Sequence, residues 1–282
     1  EASVDKRITP KLERRWYSLQ YATRAQKTMN KSLLDRVTFP WLAWALLLLI
    51  PITFFGFYPT YFSKLSGSLP SVYHIHSGMM LLWLFMAIAQ PFLIKLNKIR
   101  YHKTIGKISY VLMPLIIASG YFIIRFSYHR ALSGEAVVPP DYYPKDLPLH
   151  IKAADFVVIS SVYWIWLMVY YILGVSFRKN VVAHATFMLA AALTILGPAG
   201  DRLIGHICDA MGWPFNAIAG NFVFGLVAAV FIGLLCIHKK KNLELQPTIS
   251  VLAIHGLGIF LFYSMPYHPL WTRFAAFFFN TI

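Results

Sequence analysis

The sequence predicts an all-α, polytopic membrane protein with seven transmembrane helices. Hydrophobic residues make up 58% of the 282 residues and charged ones only 13%, a balance unusual for a soluble domain. The apolar residues gather in long runs. Residues 72–94 alone are enough to cross a hydrocarbon core of roughly 30 Å at about 1.5 Å per helical residue. The formal net charge of +15 lies between the runs, as the positive-inside rule expects. That placement points to a lipid surface and excludes the nucleic-acid partner that so basic a chain would otherwise suggest.

Two units are expected: a basic N-terminal interfacial tail over 1–38 and a seven-helix transmembrane domain over 39–282. The tail carries Lys6, Arg7, Lys11, Arg14, Arg15, Arg24, Lys27, Lys31 and Arg36, interrupted by Trp16, Tyr17 and Tyr21, a pattern suited to anionic lipid. Its polar opening residues do not read as a signal peptide. The first span is expected at 40–58 and the second at 72–94, opened by Pro70. A basic connector (Lys95, Lys98, Arg100, Lys103, Lys107) leads to the third at 108–126. The longest loop, 127–151, is acidic and proline-rich. The fourth span is expected at 153–175, the fifth at 182–198, then a polar turn with Asp201, Arg202, His206 and Asp209. The sixth covers 215–237, closed by Lys239, Lys240 and Lys241, and the seventh 249–265. Tyr267, His268, Trp271 and Arg273 then read as an interfacial aromatic belt. With seven spans, every short basic loop falls on one side, which places the N-terminus in the cytoplasm and the C-terminus outside. Cys208 and Cys236 fall at opposite ends of one span, so no disulfide is expected.

The histidines carry the candidate chemistry. His74, His76 and His150 open the second and fourth spans at the outer face; His102 and His184 open the third and fifth at the inner face. Alternate helix openings meet in an antiparallel bundle. His74 with His150 and His102 with His184 would then form two stacked bis-histidine sites for two b-type haems. His74 is preferred over His76 because Gly78 lies four residues on, as Gly106 does from His102, leaving each imidazole beside a cleared helix face. Arg100, Lys103 and Arg178 would meet inner propionates, and Arg125, Arg130 and Arg202 outer ones. A rival use is a zinc or copper site from His74, His76 and His150 with Asp155, or with the Asp201/His206 turn. A third reading is a non-catalytic structural subunit. Asp155 also reads as a partner of Lys152 or of a histidine, Gln90 as a bond to backbone freed at Pro91, and His255 as a buried, hydrogen-bonded imidazole. No nucleophile triad, phosphate loop or HExxH signature occurs.

The run His74…Gln90…Arg100-Tyr101-His102-Lys103-Thr104-Ile105-Gly106-Lys107, followed by Lys179…His184…Met188…Arg202, resembles the bacterial predicted membrane proteins called domain of unknown function 2306. The likeness covers about residues 70–205. It departs from that family's pattern at Lys103, where an Arg is usual, and at Phe187, where a Trp is usual. It implies a multi-pass protein of the bacterial inner (cytoplasmic) membrane. The alternation of histidines over four helices is also similar in layout to the cytochrome b-561 superfamily, which passes electrons across membranes through two haems. Together these suggest an electron relay in the lipid bilayer, as a subunit of a respiratory or reductase complex.

Overall fold

A computed structural model of the chain describes residues 39, 41–135, 144, 146–214 and 217–280. The expected basic tail at 1–38 and most of the proline-rich loop lie outside the described residues. Among the described residues the protein is helical throughout, with no strand. α1 covers Leu42–Phe57, with a 3-10 stretch at Leu46–Leu48. α2 is Ser71–Lys95, α3 Ile99–Leu132 and α4 Leu149–Ser176; α5 is Val181–Met211, α6 Ala217–Lys240, α7 Gln246–Ser264 and α8 Pro269–Asn280.

Six of these, α2 to α7, are long and apolar enough to cross a membrane. α1 has only 16 residues, roughly 24 Å of helix, short of the roughly 30 Å of a hydrocarbon core. Large apolar side chains such as Leu82, Phe85, Val111, Phe122, Ile172, Ile232 and Phe260 stand on the outside. Such a surface is costly in water and cheap in lipid, so the protein is an all-helical, multi-pass membrane protein that contacts the bilayer.

The helix boundaries differ from expectation in three informative places. α3 begins at Ile99, so most of the basic connector is its first turns, and the reversal from α2 is only Leu96–Lys98, with Asn97 in the left-handed region (φ 56°). Hydropathy marks where a helix enters lipid; it does not mark where the helix starts. At 34 residues α3 is roughly 50 Å long and projects beyond the apolar layer. The polar turn expected after 198 is likewise helical. α5 is interrupted at Thr194–Ile195 and restarts as Leu196–Met211, with Pro198 in its first turn, where a missing N–H costs little. Gly212 closes it in the left-handed conformation (φ 65°). α4 is interrupted too, at Val157.

α2, α3, α4 and α5 form a ring in which each packs on the next and α5 returns to α2. Its diagonals are therefore α2 with α4 and α3 with α5. α6 and α7 pack on α5, α7 also on α4, and α1 lies along the second half of α5. There the α1 backbone at Gly56 meets the Ala199 backbone so closely that any side chain at 56 would collide with it, the close approach that small residues permit between membrane helices. α8 has two faces: Leu270, Phe274 and Phe277 stand exposed, and Ala275 and Phe279 are buried. It docks on α3 and α4, where Tyr121 Oη donates to the Phe278 carbonyl (2.9 Å) and His129 Nε2 to the Phe279 carbonyl (3.0 Å). Trp271 Nε1 donates to the Ala154 carbonyl (2.8 Å) beside the interruption of α4.

Candidate functional site

Two places on the ring's axis collect polar side chains, one at each end. Successive helices are antiparallel, so the end that holds the starts of α3, α5 and α7 also holds Lys95, Lys98, Arg100, Lys103, Lys107, Arg178, Lys179, Lys239, Lys240 and Lys241. His102, in the first turn of α3, and His184, in the first turn of α5, meet here across the α3/α5 diagonal. Their ring centroids are 6.3 Å apart and the planes nearly perpendicular, at 86°.

The tautomer of His184 follows from its partner. Its Nδ1 lies 2.8 Å from the Gly174 carbonyl, which can only accept, so Nδ1 carries the proton and Nε2 keeps its lone pair. A second-atom bond of this kind orients imidazoles that bind metals. His102 Nδ1 is buried with no hydrogen bond of good distance and angle, and the Gln90 backbone carbonyl lies close enough to act on its ring. Both side-chain amide atoms of Gln90 are buried and unpartnered as well, so Gln90 does not repair backbone freed by Pro91. Gly106 faces open space: no heavy atom comes within 4 Å of where a Cβ would stand. Arg100, Lys103 and Arg178 are exposed at the same end.

At the opposite end the expected histidines do not meet among the described residues. His74 is exposed and hydrogen-bonds through Nδ1 to the Tyr61 hydroxyl (3.2 Å); His150 is exposed at the start of α4. The reason is helical phase. His74, Gly78, Leu82 and Phe85 form one stripe of α2, and that stripe faces out. Gly78 clears the lipid side of the helix and not a ligand site. His76, two residues on, points inward instead. Ser119 Oγ spends its hydrogen on the Ile116 carbonyl (3.1 Å), so His76 Nδ1–H donates to Ser119 Oγ (3.1 Å) and Nε2 is left as an acceptor.

His76 lines a cavity of about 990 Å³ enclosed by all four ring helices with α1, at the end of the ring where the outer haem was expected. Its walls are mainly apolar, including Met80, Ile116, Trp164 and Leu167, with Tyr73, Arg130 and Arg202 among its polar residues. Tyr163 projects from α4 across Gly197 of α5. A Cβ at 197 would overlap the phenol ring, so this glycine is what lets Tyr163 Oη reach Asp201 Oδ2 (2.7 Å). Asp201 Oδ1 is buried with no partner.

No group of three His, Cys, Asp or Glu side chains that could hold a metal ion occurs among the described residues, so His74, His76, His150 and Asp155 do not converge. Asp155 lies instead near Tyr267, whose hydroxyl is pushed above its ordinary pKa first by burial and then by that carboxylate. His206 approaches the Gly56 carbonyl (Nε2 to O 3.3 Å). His255 is buried, donates to the Phe224 carbonyl (3.1 Å) and stacks on Trp166 (4.6 Å).

His76 is a sequence candidate that lines the cavity in place of His74; Tyr73 and Tyr163 beside it, and Gly197 under the Tyr163 ring, are what sequence reasoning missed. The spacing Tyr73, His76/Ser77, Met80, Trp83/Leu84 carries the inward face of α2 and was available as a signal. The fold and its two axial sites define a class: a multi-pass helical bundle with an imidazole pair at its basic end and a cavity at the other. No family model, curated protein or solved structure matches the chain. None of these comparisons supports the resemblance to the domain of unknown function 2306 proteins.

Proposed function

We propose that the protein is a membrane redox protein that holds one b-type haem between His102 and His184. The observation that carries this reading is the pair itself. Two imidazoles sharing one metal ion would have their ring centres roughly 6 Å apart, two metal–nitrogen bonds of about 2 Å plus the two half-rings. The 6.3 Å separation matches that span, and His184 already has its Nε2 free. Two imidazoles without a third ligand suit a porphyrin, which supplies the equatorial donors itself, better than bare zinc or copper. The unpartnered His102 Nδ1 and Gln90 amide are further polar atoms that a bound group or its water would satisfy.

Haem supplies reversible one-electron transfer. The chain's own contribution is to hold both rings, to keep His184 in the ligating tautomer through Gly174, and to offer Arg100, Lys103 and Arg178 to carboxylates at the basic end. The proposal keeps one haem and not two, because His74 and His150 are exposed and the opposite cavity offers a single imidazole.

In this reading α1 makes a seventh, thin span, the N-terminus and basic end face the cytoplasm, and the C-terminus lies outside. The protein sits in the bacterial inner membrane as a subunit of a larger respiratory or reductase assembly. The test is an absorption spectrum of protein purified from cells supplied with haem. A Soret band that shifts on reduction, with bands of a six-coordinate low-spin haem, is the expected result. A spectrum without a Soret band overturns the reading.

A further inference from the structure

The cavity at the other end of the ring is separate from the imidazole pair, and its chemistry is graded along its depth. Along α2 it runs from Tyr73 to Leu81, roughly 12 Å. The far wall, near mid-bundle, is apolar: Met80, Leu81, Ile116 and Leu167. Among the described residues the near wall and mouth hold the cations Lys64, Arg130 and Arg202 and the acid Glu135. At about 990 Å³ the space is at the large end of the 300–1,000 Å³ of small-molecule sites.

Arg202 is the informative residue. It is exposed and lines the cavity. It donates to the Pro198 carbonyl (Nη1 to O, 2.7 Å) and lies over the Phe57 ring (4.8 Å). No carboxylate hydrogen-bonds it among the described residues: neighbouring Asp201 bonds to Tyr163 and acts on Arg202 through charge alone. Arg130 is held the same way, through the Tyr73 hydroxyl (3.3 Å) and the Glu135 carbonyl (3.1 Å), both neutral acceptors. Two guanidiniums set on neutral acceptors at the wall of an apolar chamber leave donors and charge for a guest.

We propose that this cavity binds a single-tailed amphiphile with an anionic head. Arg202 and Arg130 take the head, and Met80, Ile116 and Leu167 enclose the tail. A carboxylate and a phosphate head share the required chemistry, and both fit a ligand that enters from the lipid interface. The inference stands whether or not His102 and His184 hold a haem.

The test uses the full chain in phosphatidylcholine nanodiscs with a fluorescent dansyl undecanoate as tracer. Dodecanoate, dodecyl phosphate and dodecanol compete against it, and empty nanodiscs correct for partition into lipid. The anions should displace the tracer at about a tenth or less of the dodecanol concentration, and whichever anion is stronger names the head. R202Q and R130Q, each checked for unchanged melting temperature, should shrink that ratio at least threefold. R202K should restore most of it, and L167W should weaken all three competitors alike. Should R202Q lower the melting temperature, the R130Q and L167W pair decides by the same criteria. Equal displacement by dodecanol and dodecanoate overturns the proposal and points to a neutral-headed guest. So does full discrimination retained in both arginine variants.

Discussion

The two ends of the same four-helix ring are built differently. At the basic end two imidazoles close the gap between α3 and α5 to 6.3 Å; at the other end the space between all four helices stays open as a cavity of about 990 Å³ with one imidazole on its wall. All four helices carry a histidine near their start, so the difference does not lie in composition. It lies in angular phase. His102 and His184 project toward the axis, whereas His74 shares a stripe with Leu82 and Phe85 and faces lipid. A step of two residues turns a helical side chain by about 200°, enough to exchange an inward for an outward position. Here that step separates His74 from His76.

The strongest way to break the comparison is to remove one member of each pair. H102A or H184A should abolish haem binding, a loss of more than tenfold in Soret absorbance per protein. H74A and H150A should leave it within experimental error. Equal losses at all four positions would restore two equivalent sites and contradict the asymmetry.

A second way is to crowd the open end. G197V would drive a side chain into Tyr163 and break its bond to Asp201. Overpacking of this kind costs about 1–3 kcal/mol, and the stranded buried carboxylate adds to it. The expected readout is a clear fall in melting temperature in detergent with the Soret band of the remaining folded protein unchanged.

The dock of α8 lies next to the open end and tests a smaller effect. W271F removes the indole N–H and part of the ring, leaving the Ala154 carbonyl without that donor, a loss of about 1–3 kcal/mol. Amide exchange should quicken over 153–158 and over α8, while the α3/α5 end keeps its protection. The smallest effect belongs to His74. Its bond to Tyr61 is exposed, so H74A should change stability by less than about 0.5 kcal/mol, measured by melting temperature.

Much of this was legible in the sequence, for physical reasons that also explain the failures. Six long apolar helices follow from hydropathy, because lipid leaves a spanning backbone no other way to pair its polar groups. The meeting of His102 with His184 follows from alternation in an antiparallel ring. Hydropathy was silent where a helix leaves lipid. Residues 99–107 and 199–211 continue as helix because nothing in them breaks one, though their charges read as loops. Gly78 did not mark an inward face for His74, because a glycine four residues on clears whichever face it lies on, and here that face is exposed. The interruption at Val157 had no local marker; it is visible only through Trp271, more than a hundred residues away, which bonds to the Ala154 carbonyl beside it.

The most direct test of the asymmetric axis is haem stoichiometry, measured by pyridine haemochrome against protein determined by amino-acid analysis, for the wild type and H184A. The account predicts one haem per chain in the wild type and none in H184A. Two haems per wild-type chain, or one haem retained without His184, would contradict it.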